Sequence, residues 1–94
     1  MTVTAKLRGL LSAGRTLAVP GASDALSARL IEAHGYECVY IGSYATAASR
    51  FGITDTGLLS RESLVEQART IAQAVRIPVI ADAEGFEDAV PAFE

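Results

Sequence analysis

Four carboxylates stand close together near the end of the sequence, in the stretch VIADAEGFED. Asp82 directly follows the apolar residues of this stretch, and Glu84, Glu87 and Asp88 come within the next six residues. Ordinary solvation of a loop is one explanation. Carboxylate oxygens that directly follow a buried strand are also the ligands that Mg²⁺ or Mn²⁺ prefers. Both interpretations stay open on the residues alone.

Three short apolar runs predict the strands that must position these acids. They cover Thr16–Val19, Glu37–Ile41 and Ile77–Ala81, and the second is apolar enough to predict burial on both faces. In a parallel α/β sheet, ligands bind at the carboxyl ends of the strands. Gly42 and Ser43 follow the second strand as Asp82 follows the third.

The residues after the second strand form a candidate anion site. Backbone N–H groups of Ser43, Tyr44 and Ala45 would lie at the start of a short helix, where a carboxylate or phosphate can bind. A simple turn is the alternative. An anion site beside a metal site would suit a small anionic substrate whose developing charge the metal stabilises. Asp24, after the first strand, is either a first-turn acid of a helix or part of the site.

Helical patterns separate the predicted strands. A helix is predicted over Thr2–Ala13, and the next begins at Ser23 as N-cap and ends at Gly35. The predicted apolar stripe of this second helix consists of Leu26, Leu30 and Ile31. After a short helix near ATAAS, Ser60 caps an amphipathic helix. Its predicted buried face comprises Leu64, Ala68, Ile71, Ala72 and Val75.

This alternation predicts a parallel sheet with right-handed crossovers. Three parallel strands alone would leave two exposed edges and an uncovered face. The 94 residues are therefore expected to form the opening part of a larger α/β domain. Exposed edges also favour self-association.

Composition excludes several classes of protein. Half of the residues are hydrophobic and 20% are charged, which is typical of a globular chain, and the net charge of −3 offers no basic stripe for nucleic acid. No apolar run approaches the roughly 20 residues that span a bilayer, and Arg15 interrupts the N-terminal apolar stretch that a signal peptide would need. Cys38 is the single cysteine, which favours a reducing compartment. We expect a soluble cytoplasmic protein that binds neither nucleic acid nor membrane.

Three segments in correct mutual spacing resemble the isocitrate lyase / phosphoenolpyruvate mutase superfamily. They are PGASDALSARLIEAHGYE, GITDTGLLS and PVIADAE, and the resemblance covers about residues 7–84. It implies a (β/α)₈ TIM barrel, of which residues 1–94 would supply the first three βα units of one incomplete domain. It also implies a Mg²⁺-dependent (or Mn²⁺-dependent) carbon–carbon lyase. The expected substrate is a small 2-hydroxy or 2-oxo dicarboxylate that reacts through an enolate, as in isocitrate or 2-methylisocitrate lyases, oxaloacetate decarboxylases and phosphonopyruvate-processing enzymes.

The resemblance assigns roles to residues one by one. Ser43, Tyr44 and Ala45 match the loop that binds the substrate carboxylate, although Tyr44 replaces a glycine. Asp82 matches the principal metal-binding aspartate, and Asp55 an acid that supports the metal through water. Glu84 stands where most members carry a second aspartate. We expect the acid/base residue to lie beyond this chain.

The final segment GFEDAVPAFE departs from the family pattern, which continues with a glycine-rich loop and a helix. Two hypotheses follow. In the first, the chain is the opening third of a lyase that forms a homo-oligomer, a dimer or tetramer. In the second, it is a truncated, catalytically inactive relative that only self-associates.

Overall fold

The computed structural model describes residues 2–54 and 59–83 of the chain. The elements are, in order, α1 (Val3–Leu11), α2 (Ala25–Ala33), β1 (Val39–Ile41), α3 (Ser43–Thr46), a π-helix (Ala47–Phe51), α4 (Arg61–Ala74) and β2 (Val79–Ala81). The predicted alternation of helices and strands is therefore confirmed from α2 onward. Each strand is shorter than its apolar run.

The two strands are parallel, as predicted. Val39 pairs with Val79 and Ile41 with Ala81, and α3, the π-helix and α4 form the crossover between the strands. Because both strands run in the same direction in this register, their carboxyl ends lie at the same edge of the sheet.

The first predicted strand, over 16–19, is wrong. The chain instead meets β1 a few residues later, through a single parallel bridge between Gly21 and Tyr40. Tyr40 donates its backbone N–H to the carbonyl of Pro20, and Ala22 donates to the carbonyl of Tyr40, each over 2.9 Å. Proline has no N–H to contribute to a ladder, which helps to limit the pairing to this bridge.

The core lies between the sheet and the two helices α2 and α4. Both helices contact the strands and each other. Its buried members are Ala22, Ala28, Val39, Ile41, Ala68, Ile71 and Val75. The opposite face of β1 carries Tyr40, which is 39% exposed, so the prediction that this strand is buried on both faces is wrong at Tyr40, although Cys38 just before β1 is fully buried.

The helix α2 turns a different face to the core from the one predicted. Leu26 and Leu30 are 68% and 51% exposed, whereas Ala28 is fully buried and Ile31 packs against the core. Ala28 and Ile31 are three residues apart and therefore share one face of the helix, as residues four apart also do. The small Ala28 side chain lets the helix approach β1 closely.

The ends of α2 also refine the prediction. Asp24, not Ser23, is the N-cap, and its Oδ1 accepts the backbone N–H of Ser27 over 2.6 Å. At the other end, Gly35 has a φ of 90°, a left-handed conformation that glycine adopts without strain. Gly35 donates to the carbonyl of Glu32, and Tyr36 to that of Ile31, which together form a Schellman motif.

The amphipathic helix α4 matches its prediction closely. Ser60 is the N-cap, and its Oγ accepts the backbone N–H of Ser63 over 3.1 Å. The predicted face is buried except at Ala72, which is exposed, and it includes one polar residue that the pattern did not predict, Gln67. Among the helices of the described residues, none has the length and apolar character to span a membrane.

Candidate functional site

The carboxyl ends of β1 and β2 bring Ser43 and Asp82 together. The backbone N–H of Asp82 donates to the carbonyl of Ile41 over 2.9 Å, which extends the ladder one residue beyond the strands. The Oγ of Ser43 then donates to Oδ2 of Asp82 over 3.2 Å. The candidate anion loop and the candidate metal-binding aspartate are thus in direct contact.

A cleft of about 410 Å³ opens at this edge of the sheet. Its lining residues come from the loop before α2, from β1, from the start of α3 and from the end of β2. They are Gly21, Ala22, Tyr40, Gly42, Ser43, Tyr44, Ala45 and Asp82. Of the predicted site residues that the structure describes, Ser43, Tyr44, Ala45 and Asp82 line this cleft.

The loop after β1 turns directly into α3. Gly42 is the N-cap, and the helix begins at Ser43. Thr46 donates both its backbone N–H, over 3.2 Å, and its Oγ1, over 2.8 Å, to the carbonyl of Gly42. These bonds hold the turn in one conformation. The first N–H groups of a helix have no acceptor within it, so Ser43, Tyr44 and Ala45 point backbone donors towards the helix start.

Close packing at Gly42 connects this turn to Tyr40. A Cβ on Gly42 would lie 3.1 Å from Cε1 of the Tyr40 ring, so the hydrogen side chain of glycine makes room for that ring at the cleft. Sequence reasoning missed Tyr40 as a cleft residue. Alternation along β1 could have identified it, because Val39 and Ile41 face the core and the residue between them must face the other way.

The side chain of Tyr44 does not fill the cleft. It is 72% exposed, whereas the backbone of the turn stays compact. The sequence predicted that this side chain must either point away or reshape the pocket in place of the usual glycine. Tyr44 remains among the residues that line the cleft, with its side chain open to solvent.

Only part of the predicted metal-binding set can be located. Asp55 and Glu84, together with Glu87 and Asp88, lie outside the described residues. Within the described ranges, no three His, Cys, Asp or Glu side chains come together as a metal site. The donor chemistry at the cleft nevertheless fits Mg²⁺, because the Asp82 carboxylate and the Ser43 hydroxyl are both hard oxygen ligands.

Asp24 lies outside the residues that line the cleft and acts as a helix cap. Hydrogen bonds from the backbone N–H and then from the hydroxyl of Ser27 lower the pKa of its carboxyl below the usual value. Neither interpretation of Asp24 is matched in full: it lies at the N-terminus of α2, but as the N-cap and not as an acid of the first turn, and it is not among the residues that line the cleft.

Comparison with known proteins places this geometry in a family. The family model described as phosphoenolpyruvate phosphomutase matches residues 7–94. The chain is 43% identical to the 2,3-dimethylmalate lyase of Eubacterium barkeri over 91 residues, which cover 96% of this chain and 32% of that protein. It is 33% identical to the 2-methylisocitrate lyase of Bacillus subtilis, over 86% of this chain and 27% of that enzyme.

Solved structures agree with the sequence comparison. Phosphonopyruvate hydrolase, in a crystal structure of its complex with oxalate and Mg²⁺, superposes with a TM-score of 0.87 at 35% identity. The match covers 96% of this chain and 32% of the hydrolase. The chain thus spans about a third of the length of the proteins it matches. Together with the family model, these similarities show that the chain belongs to the phosphoenolpyruvate mutase / isocitrate lyase superfamily.

Proposed function

We propose that the full-length protein is a Mg²⁺-dependent carbon–carbon lyase that cleaves a small 2-hydroxy or 2-oxo dicarboxylate through an enolate intermediate. The observation that carries the proposal is the direct contact between Ser43 and Asp82 across the ends of two parallel strands. It unites an anion-binding turn with a metal-binding carboxylate in one cleft. The relatives named above, which are lyases and a hydrolase of this superfamily, support the same class of enzyme.

The fold proposed for the full-length protein is a (β/α)₈ barrel. Residues 1–94 would supply its first three βα units, and the bridge at Gly21 would take the place of the first strand. The parallel order of this bridge, β1 and β2 supports the proposal, since barrel strands are all parallel. The cleft lies at the carboxyl ends of the strands, where barrel enzymes carry their active sites.

Each described site residue has a proposed task. The backbone N–H groups of Ser43, Tyr44 and Ala45 bind and orient one carboxylate of the substrate. Asp82 would hold Mg²⁺ together with Asp55 and Glu84, and the hydroxyl of Ser43 orients the Asp82 carboxylate. When bound, Mg²⁺ (or Mn²⁺) supplies positive charge that stabilises negative charge developing on the substrate.

The test is a metal-dependent assay of the full-length protein. The candidate substrates are 2-methylisocitrate, 2,3-dimethylmalate, oxaloacetate and phosphonopyruvate, and release of the 2-oxo acid or oxalate product is measured with and without EDTA. We expect activity on one of the first three that requires Mg²⁺ or Mn²⁺. Activity on phosphonopyruvate alone, which breaks a P–C bond, would contradict carbon–carbon cleavage. Asp82→Ala should lower the expected activity by about 100-fold or more, because it removes a metal ligand.

A matched control is Glu66→Gln. Glu66 pairs with Arg69 on the exposed face of α4, and an exposed ion pair contributes little to stability. This variant should keep the wild-type activity. If Asp82→Ala is as active as Glu66→Gln, the proposed metal role is wrong.

The second candidate function is an inactive relative that self-associates. It is favoured by the exposed Leu26 and Leu30 on the outer face of α2, since exposed neighbouring leucines favour burial against a partner. The same surface would serve a homo-oligomeric enzyme, a dimer or tetramer, in the cytoplasm. Light scattering of the full-length protein separates the candidates when combined with the assay: an inactive oligomer supports the second, and an active one the first.

A further inference from the structure

Gln67 is a buried polar residue whose amide connects three segments of the chain. It lies on the core-facing side of α4 and is 3% exposed. Its Nε2 donates to the carbonyl of Ser23 over 2.5 Å, and its Oε1 accepts from Nη1 of Arg50 over 3.1 Å. A buried amide without partners would be costly, so this paired geometry strongly favours one arrangement of all three segments.

The two partners of Gln67 belong to two segments that each contribute a wall of the cleft. Ser23 directly follows Ala22, which lines the cleft from the loop before α2. Arg50 lies in the π-helix that continues α3, and the first residues of α3 also line the cleft. The Gln67 side chain therefore connects the loop before α2 to the α3–π-helix segment by two hydrogen bonds.

We propose that Gln67 is a positioning residue that sets the distance between these two walls. The claim that this distance serves substrate binding rests on the proposed function; the bridge itself does not. The amide donates with its NH₂ group and accepts with its oxygen, and the separation of the two is fixed. An apolar side chain of similar volume would fill the same space without holding either wall. If core packing were the only role, methionine would replace glutamine at little cost.

The test compares Gln67→Met with a control on the same helix, Gln73→Met. Gln73 is exposed, so this control makes the same chemical change away from the bridge. Amide hydrogen exchange of the full-length protein is the first measurement. In Gln67→Met we expect exchange to accelerate by about 10-fold at Ala22 and at Gly52 and Ile53, which close the π-helix segment. The control should exchange as the wild type does.

Kinetics give the second measurement. For the substrate that the full-length protein cleaves, KM should rise by about 10-fold in Gln67→Met, and kcat should fall by less, because the displaced wall binds the substrate carboxylate. A second variant, Arg50→Met, removes the hydrogen bond from Arg50 to Gln67 at an exposed position. It tests the bridge even if Gln67→Met does not fold. It should accelerate exchange at Gly52 and Ile53 but not at Ala22.

The outcomes distinguish this inference from the proposed function. Exchange in Gln67→Met at the wild-type rate, or equal acceleration in Gln73→Met, would contradict the proposed bridge. This conclusion does not depend on the activity of the protein. Accelerated exchange with an unchanged KM would restrict Gln67 to a structural role and overturn its part in binding. An inactive wild-type protein would refute the lyase proposal. The hydrogen-exchange measurement would then still test whether Gln67 holds the two segments together.

Discussion

Ser43 and Asp82, which are 39 residues apart in sequence, are joined by a hydrogen bond from Oγ to Oδ2 of 3.2 Å. The contact follows from the register of the sheet. Ile41 pairs with Ala81, so the two strands end at the same level. Ser43 follows Ile41 by two residues, and Asp82 follows Ala81 by one. The turn that offers backbone donors and the carboxylate suited to a metal thereby form one site.

Replacement of Ser43 by alanine should lower the proposed lyase activity of the full-length protein without unfolding it. The change removes the donor that orients Asp82, and a hydrogen bond to a charged group is worth enough to lower kcat/KM by about 10-fold. The apparent affinity for Mg²⁺ in the assay should fall in parallel. Ser43→Thr keeps the hydroxyl and should retain more activity, and Ser12→Ala, at the exposed end of α1, should match the wild type. Equal activity of Ser43→Ala and the wild type would contradict the orienting role.

Gly42→Ala should reshape the cleft at little cost in stability. The φ of −104° and ψ of 154° at this position suit alanine, so the free energy of unfolding should change by less than about 1 kcal/mol. The added Cβ would lie 3.1 Å from the Tyr40 ring, which is partly exposed and must move into the cleft or away from it. We expect KM to rise several-fold.

A glycine in the helix α1 provides the control for this change. Gly9 has no atoms within 4 Å of an added Cβ, so Gly9→Ala should stabilise the protein by about 0.5–1 kcal/mol and leave KM unchanged. Urea unfolding and steady-state kinetics measure both quantities. An unchanged KM in Gly42→Ala would show that the Tyr40 contact does not shape the binding site.

The cap of α2 should make stability depend on pH in the acid range. The pKa of Asp24 is lowered in the folded state from 3.8, so its contribution is fully present above that value and is lost as the pH falls through the folded-state pKa. Asp24→Asn should keep the cap and remove this dependence, whereas Asp24→Ala should cost about 1 kcal/mol at neutral pH. Urea unfolding from about pH 2 to pH 6 measures the difference. An unchanged acid dependence in Asp24→Asn would contradict the assignment.

Cys38 should be unreactive in the native protein. Its side chain is fully buried, and burial raises the pKa of the thiol, which lowers the fraction of reactive thiolate. Alkylation by iodoacetamide at pH 8, followed by mass spectrometry of the peptide that contains Cys38, should be at least about 100-fold slower in buffer than in urea. Similar rates in both conditions would mean that this part of the core opens readily.

Local patterns predicted most of the helical structure. The N-cap Ser60, the spacing of Leu64, Ala68 and Ile71, and Gly35 at the end of α2 depend on interactions within one or two helical turns. Such interactions depend on residues that are neighbours in the sequence, so the sequence alone predicts them. The order of elements from α2 onward and the family resemblance were confirmed, and the residues directly after β1 and β2 line one cleft.

Faces and pairings were predicted less well, because they depend on partners far away in sequence. Leu26 and Leu30 have the spacing of a core stripe, yet α2 turns Ala28 to the sheet because a small residue permits close approach. The run over 16–19 is apolar enough for a strand, yet the chain meets β1 only at Gly21, next to Pro20.

The sequence by itself determined which chemical groups the chain offers: the carboxylate of Asp82 after an apolar run and the small residues after Ile41. Only the tertiary structure decided that Ser43 reaches Asp82, that Tyr40 faces the cleft, and that the buried amide of Gln67 joins its two walls. The physical reason is that residue types and local propensities act over a few neighbours. Distances between groups 39 or 44 residues apart are instead set by strand register and by helix packing.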